Sequence, residues 1–155
     1  MTKAEFASRI RNMERKMYCV LRSMRLTDAD AEDAVQEALL KAYRNLEGLR
    51  EEKYFETWMI RILINEAKAI LKRPQRLESE LKDTIPYLPE GENSVAAAIV
   101  MLPEKERLCL VLYSIEGYSV KEIAEITKSP LGTVKWRLKS ARDKLKEILE
   151  KEDAR

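Results

Sequence analysis

Five carboxylates and no base stand between Asp28 and Glu37: Asp28, Asp30, Glu32, Asp33 and Glu37. On a helix, Asp30, Asp33 and Glu37 fall at i, i+3 and i+7, which lines one face with negative charge. Such a row can ligate Mg²⁺, as in a carboxylate-metal phosphohydrolase, or meet a basic surface on another macromolecule. The metal reading needs a second acidic helix facing the first, and no later segment has comparable density. By composition alone the row is an acidic face, with the metal site and a plain solvated face as its alternatives. Two basic segments complement the row. Lys53, Arg61, Lys68, Lys72, Arg73 and Arg76 stand against only Glu56 and Glu66, and Lys128, Lys135, Arg137, Lys139, Arg142, Lys144 and Lys146 against only Asp143. On a chain of net charge +2, two separated basic surfaces suit a polyanion held at two places.

The absence of histidine removes imidazole acid–base catalysis, His-oriented nucleophiles and imidazole metal sites. Cys19 and Cys109 are the only cysteines and sit far apart inside apolar helical patterns, which suits neither a disulfide framework nor a thiolate zinc site. No catalytic residue, metal or cofactor is expected. The start MTKAEFASRIRNMERK is charged throughout, and no uncharged run approaches the ~18 residues of a membrane span. The chain is therefore expected in a reducing cytoplasm, without membrane insertion.

The elements that must carry these charges are helices. In 155 residues, 45% hydrophobic and 36% charged, only four Gly and five Pro punctuate a background rich in Ala, Leu, Glu, Lys and Arg. That composition predicts an all-α fold of two small helical domains. Phe6, Ile10, Met13, Met17, Val20/Leu21 and Met24 form the apolar stripe of a first helix over 3–25. Thr27 caps a second helix, whose buried side is Ala31, Ala34, Val35, Ala38, Leu39, Ala42 and Tyr43 and which stops at Gly48. A third helix runs from about Tyr54 to before Arg73-Pro74, with Phe55, Trp58, Met59, Ile62, Leu63 and Ala67 apolar. Residues 1–73 thus make one domain. Residues 74–93 hold three of the five Pro, mostly acidic charge and no sustained period, and read as a flexible linker.

In residues 94–155, a short helix leads to one that starts on Pro103 and closes at Gly117. Ser119 and Glu122 then spell a capping box, Lys128-Ser-Pro130 breaks the chain, and Val134, Leu138, Ala141, Leu145 and Ile148 stripe a long last helix. This is a helix-turn-helix. Ile123 and Val134 pin the crossing, where Ala124 is small. Ser129, Thr133, Lys135, Trp136, Lys139 and Ser140 then face a major groove, and Arg137, Arg142 and Lys144 suit phosphates.

Two stretches carry a family resemblance. LPEKERLCLVLYSIEGYSVKEIAEITKSPLGTVKWRLKSARDKLK resembles the C-terminal domain of bacterial RNA polymerase sigma factors of the extracytoplasmic-function (ECF) type, and DAEDAVQEALLKAYRNLEGLREEKYFETWMIRILINEAKAILKR resembles their N-terminal core domain. The resemblance implies a promoter-specificity subunit that binds RNA polymerase core, opens the minus-10 element with its first domain and recognises minus-35 duplex DNA with its second. It implies that Asp30, Asp33, Gln36, Glu37 and Leu40 face the clamp coiled coil of the largest polymerase subunit. FETWMIRI stands where the family shows F-x-T-W-[LM]-x-R-I, and Asn65 matches the Asn that lines the pocket for a flipped minus-10 base, with Arg61, Lys68, Lys72 and Arg73 along the strand. Phe55, Trp58 and Ile62 read as core.

Two departures stand out. Lys128 replaces a turn residue that is commonly Gly, which predicts an altered turn, and Trp136 replaces a small polar residue beside Lys135. No sensory domain is expected after Arg155, so sensing falls to another molecule, in this family usually an anti-sigma factor, often membrane-bound. Two rivals follow from the residues alone: a dimeric helix-turn-helix repressor that binds DNA unaided, and the carboxylate-metal enzyme above.

Overall fold

The first two helices begin for one physical reason: a threonine hydroxyl takes up backbone N–H groups that a helix start leaves orphaned. Thr2 Oγ1 accepts from the Glu5 N–H at 3.2 Å while the Glu5 carboxylate accepts from the Thr2 N–H at 2.9 Å, a capping box. Thr27 Oγ1 accepts from the Asp30 N–H at 3.1 Å. A computed structural model describes residues 1–74 and 93–153, so the sequence reading of 75–92 as linker lies outside the described residues. Its first half comprises α1 (Lys3–Ser23), α2 (Asp28–Arg44) and α3 (Phe55–Leu71), and its second α4 (Asn93–Val100), α5 (Glu104–Leu110), α6 (Val120–Thr127) and α7 (Leu131–Asp153). Among the described residues all regular structure is helical.

The boundaries depart from the sequence reading in two places. Helix α2 stops at Arg44, before Gly48, because the Asn45 side-chain amide donates to the Lys41 carbonyl at 2.8 Å and a 3-10 turn, Leu46–Gly48, follows. Pro103 caps α5 rather than starting it, since its ψ of 147° is extended. Helix α5 runs on into a π-helical segment, Val111–Ile115, and Gly117 at φ +78° ends it.

The core follows the predicted stripe in α1 and the alanines of α2, but in α3 the shielded side is turned toward Ile60 and Ile64, which the spacing did not assign to it, and leaves Trp58 and Ile62 half-buried. Met17, Val20, Leu21, Met59, Ile60, Leu63 and Ile64 are fully shielded, and Ala31, Ala34, Ala38 and Ala42 form a small-residue row that lets α2 lie close on α3. Each buried large side chain contributes roughly 1.5–3 kcal/mol relative to exposure. Tyr43 is a correction: assigned to the buried side, it is 48% exposed, its ring edge-on to Phe6.

The hydrophobic cluster does not stop at the boundary between halves. Leu108, Leu112, Tyr118, Ile123, Ile126, Val134 and Leu138 belong to the same cluster as the α1–α3 core, with α3 packed on α6. Polar contacts reinforce this seam. Lys16 pairs with Glu56 at 3.0 Å and lies 4.9 Å above the Tyr118 ring. Burial, followed by the Glu56 carboxylate, pushes the Tyr118 phenol above its usual range, so it stays neutral.

The turn of the helix-turn-helix corrects a further expectation. Lys128 adopts the left-handed conformation, φ 53° and ψ 44°, that glycine would take there, so the turn keeps its geometry and the lysine bears the strain. Lys128→Gly is expected to raise stability by about 1 kcal/mol. The check is a higher urea midpoint at unchanged slope; a lowered midpoint would show that the lysine is not strained.

Candidate functional site

Three exposed helical faces carry the charged residues singled out above. On α7, the capping box of α6 (Glu122 N–H to Ser119 Oγ at 3.1 Å, Ser119 N–H to Glu122 at 3.0 Å) and the Lys128 turn fix where the last helix starts. Val134, Leu138 and Ala141 are buried beneath it. What remains outside is a row at i, i+4, i+7 and i+11: Lys135, Lys139, Arg142 and Lys146, all exposed. Trp136 stands beside that row and is exposed too. Ser129, Thr133 and Ser140 are half-buried at its edge. Arg137 differs from the sequence reading, because its guanidinium turns back to donate to Ser129 Oγ at 2.9 Å and approaches the buried Cys109. It braces the turn to the helix. Arg142 sits 5.2 Å from the Tyr113 ring, and Lys144 bonds the buried Glu106 carboxylate at 3.0 Å, a cross-helix tie rather than a free cation.

On α3, Arg61, Asn65, Lys68 and Lys72 follow the same i, i+4, i+7, i+11 spacing and are all exposed, with Arg73 just beyond. Phe55 is buried and Trp58 and Ile62 pack on the core, so the apolar part of the F-x-T-W pattern is structural. Both ends of the cationic row meet the second half of the molecule. Arg61 lines a cleft of about 400 Å³ with Tyr54, Trp58 and Glu125, and Lys68 and Lys72 line another of about 480 Å³ with Glu104 and Arg107.

On α2, Asp33, Gln36, Glu37 and Leu40 are exposed on one face, Leu40 at 50%. Asp33 makes a loose ion pair with Arg73 at 3.9 Å. Asp30 is set apart from them: it is half-buried, with one carboxylate oxygen out of contact with solvent. The three acids at i, i+3 and i+7 therefore do not converge, and among the described residues no group of three or more His, Cys, Asp or Glu is placed to hold a metal ion. Cys19 and Cys109 are both buried and neither is in a disulfide, and burial, then Glu116, pushes the Cys19 thiol up to about 12, so it stays protonated. No described helix is long and apolar enough to cross a membrane.

The sequence reading missed Arg107, Tyr118 and the Lys16–Glu56 pair, because each acts across the two halves and leaves no local pattern.

Comparison with known proteins bears on these faces. Residues 10–77 match the family model for Sigma-70 region 2, and residues 92–145 that for Sigma-70, region 4. The ECF RNA polymerase sigma-E factors of Haemophilus influenzae and of Escherichia coli K12 are each 36% identical over 135 aligned residues, covering 74% of this chain and 71% of theirs. The chain belongs to the ECF group of the sigma-70 family. Solved structures share the fold: CnrH in complex with the cytosolic domain of CnrY superposes with a TM-score of 0.74 at 22% identity over 96% of this chain and 90% of that one. The sigma factor RpoE in complex with the anti-sigma factor NepR from Bartonella quintana gives 0.75 at 24% identity over 94% and 97%. This sigma factor directs promoter-specific transcription initiation. In it, α3 lies within the region 2 match, and α6 and α7 as far as residue 145 lie within the region 4 match.

Proposed function

We propose that this sigma factor docks on RNA polymerase core through α2, reads the minus-35 duplex with α7 and opens the minus-10 element with α3. The observation that carries the reading is the sorting of charge onto three separate exposed faces, one acidic and two basic, on a near-neutral chain. Asp33, Gln36, Glu37 and Leu40, with Asp30 at their edge, would meet the clamp coiled coil of the largest subunit. An apolar side chain ringed by like charges suits the centre of an interface. Lys135, Lys139 and Arg142 would contact duplex DNA, with Ser129, Thr133, Trp136 and Ser140 around them and Arg137 holding the turn. Arg61, Lys68, Lys72 and Arg73 would hold the strand while Asn65 bonds the edge of an extruded base, offsetting an unstacking cost of a few kcal/mol.

In this reading residues 1–73 are the polymerase-binding and melting unit, 94–155 the duplex-reading unit, and 74–93 their connector. The chain performs no bond chemistry, needs no cofactor and works in the bacterial cytoplasm. Because CnrH and RpoE were solved with CnrY and the anti-sigma factor NepR, an anti-sigma factor, cytosolic or membrane-borne, is the proposed source of its regulation.

Run-off transcription with purified core tests the whole reading: start-site choice should appear only when the chain is added. Tight duplex binding by the chain alone, without polymerase, would favour the dimeric repressor instead. Within the first unit, Asn65→Ala should lower open-complex formation by about tenfold, the worth of one well-made buried hydrogen bond to a base, while core affinity is unchanged. Permanganate reactivity of the minus-10 thymines reads the opening, and undiminished reactivity would remove Asn65 from the mechanism.

A further inference from the structure

Two residues near the start of α7 are not accounted for by packing or by charge. Trp136 is 62% exposed in a helix whose buried stripe is already complete. Gly132 lies one helical turn before it, at i−4, in the first turn of α7. Nothing inside the molecule requires that glycine, since a Cβ added there would meet no atom within 4 Å. A bare backbone facing outward is what a close external neighbour needs. Helical side chains lean toward the N-terminus, so the indole overhangs the turn that contains Gly132 and Thr133.

The surroundings say what that neighbour is. From Leu131 to Arg142 there is no acid, and Lys135 and Lys139 flank the indole. A polyanion is favoured over an apolar protein surface, and the apolar feature that duplex DNA offers in its major groove is the thymine 5-methyl group.

We infer that Trp136 is a specificity-determining residue that seats its indole against the 5-methyl group of a thymine in the upstream promoter element, the bare backbone at Gly132 allowing the approach. This rests on the reading of α7 as the minus-35 helix. Neighbouring lysines supply affinity for any sequence, whereas the indole distinguishes an A·T pair by its methyl group.

The test uses holoenzyme assembled from core polymerase and full-length chain, on promoter duplexes in which each upstream thymine in turn is replaced by deoxyuridine. Wild type should lose about fourfold in affinity at one or two positions, the worth of one buried methyl group. W136A should bind thymine and deoxyuridine equally at those positions. Indifference of the wild type to every replacement, or an undiminished thymine preference in W136A, would overturn the inference. Lys139→Ala separates this from the underlying reading: weaker binding on all sequences, with the thymine preference kept, supports both. If neither Trp136→Ala nor Lys139→Ala changes DNA binding, α7 is not the minus-35 helix and both fall. Because Trp136 is exposed, W136A should fold with a stability within about 0.5 kcal/mol of wild type, which thermal melting checks.

Discussion

Reversing charge at Asp33 and Glu37 together, to arginine, is expected to lower affinity for RNA polymerase core by at least about a hundredfold while leaving the fold intact. Both side chains are exposed, and Arg73, just past the end of α3, is 3.9 Å from Asp33. An ion pair that long and that exposed contributes well under 1 kcal/mol, so its loss hardly matters to stability. Across an interface the balance differs. Two attractions become two repulsions beside Leu40, and like charges brought together in a desolvated contact cost several kcal/mol. Since 1.4 kcal/mol is a factor of ten, roughly 3 kcal/mol already gives the stated loss. Binding of labelled core, measured alongside the thermal melt, checks it. Unaltered core affinity with a normal melt would mean that this acidic row is only a solvated face. Asp30→Asn should do far less to core binding, because Asp30 is half-buried with one oxygen sealed from solvent.

The contrast between Asp30 and Asp33 shows what the sequence could and could not reveal. Periodicity put Asp30, Asp33 and Glu37 on one face, but a helix face has edges, and position 30, in the first turn of α2, is half-buried with one carboxylate oxygen shielded. The same holds for Tyr43, which lies at the edge of the α2 stripe and is exposed although the neighbouring Ala42 is fully buried. Local chemistry was legible wherever a few neighbouring residues close their own hydrogen bonds, as in the Ser119–Glu122 box. Lys128 was misread for an instructive reason. A missing glycine by itself predicts a changed turn, but the packing of Ile123, Ile126 and Val134 on either side, all shielded, dictates the path and imposes a left-handed conformation on the lysine. Tertiary context overrode a local preference worth about 1 kcal/mol. Of the candidate site, the exposed cationic rows of α3 and α7 could be read from spacing. The inward turn of Arg137 onto Ser129 could not, since nothing in the spacing distinguishes a cation that braces a turn from one that faces solvent.

Arg107 was the least legible residue, and its removal is expected to be the most damaging to stability: Arg107→Ala should cost about 3–5 kcal/mol. The sequence offers an arginine next to Glu104, Lys105 and Glu106, which reads as surface, yet it is 3% exposed. Its Nε donates to the Ser23 carbonyl at 2.6 Å, and its Nη1 donates to the Leu102 and Val100 carbonyls at 2.9 and 3.2 Å. Ser23 ends α1, and Val100 ends α4 with Leu102 just past it, so one guanidinium satisfies the orphan carbonyls of two helix ends and ties the two halves of the chain together. Burial, and then the nearby Arg25 charge, lowers the Arg107 pKa, which shows how little solvent helps this cation. Truncation would strand two buried acceptors and a partly buried third at once. Lysine is not a substitute, because a single ammonium cannot span carbonyls that the planar fork reaches in two directions. Arg107→Lys should therefore recover less than half of the loss. Urea unfolding followed by circular dichroism measures both variants, and against a total stability of roughly 5–15 kcal/mol the alanine variant should unfold at a far lower midpoint. A shift below about 1 kcal/mol would mean that water replaces the guanidinium at the three carbonyls, and that the seam between α1 and α5 is held by its apolar contacts alone.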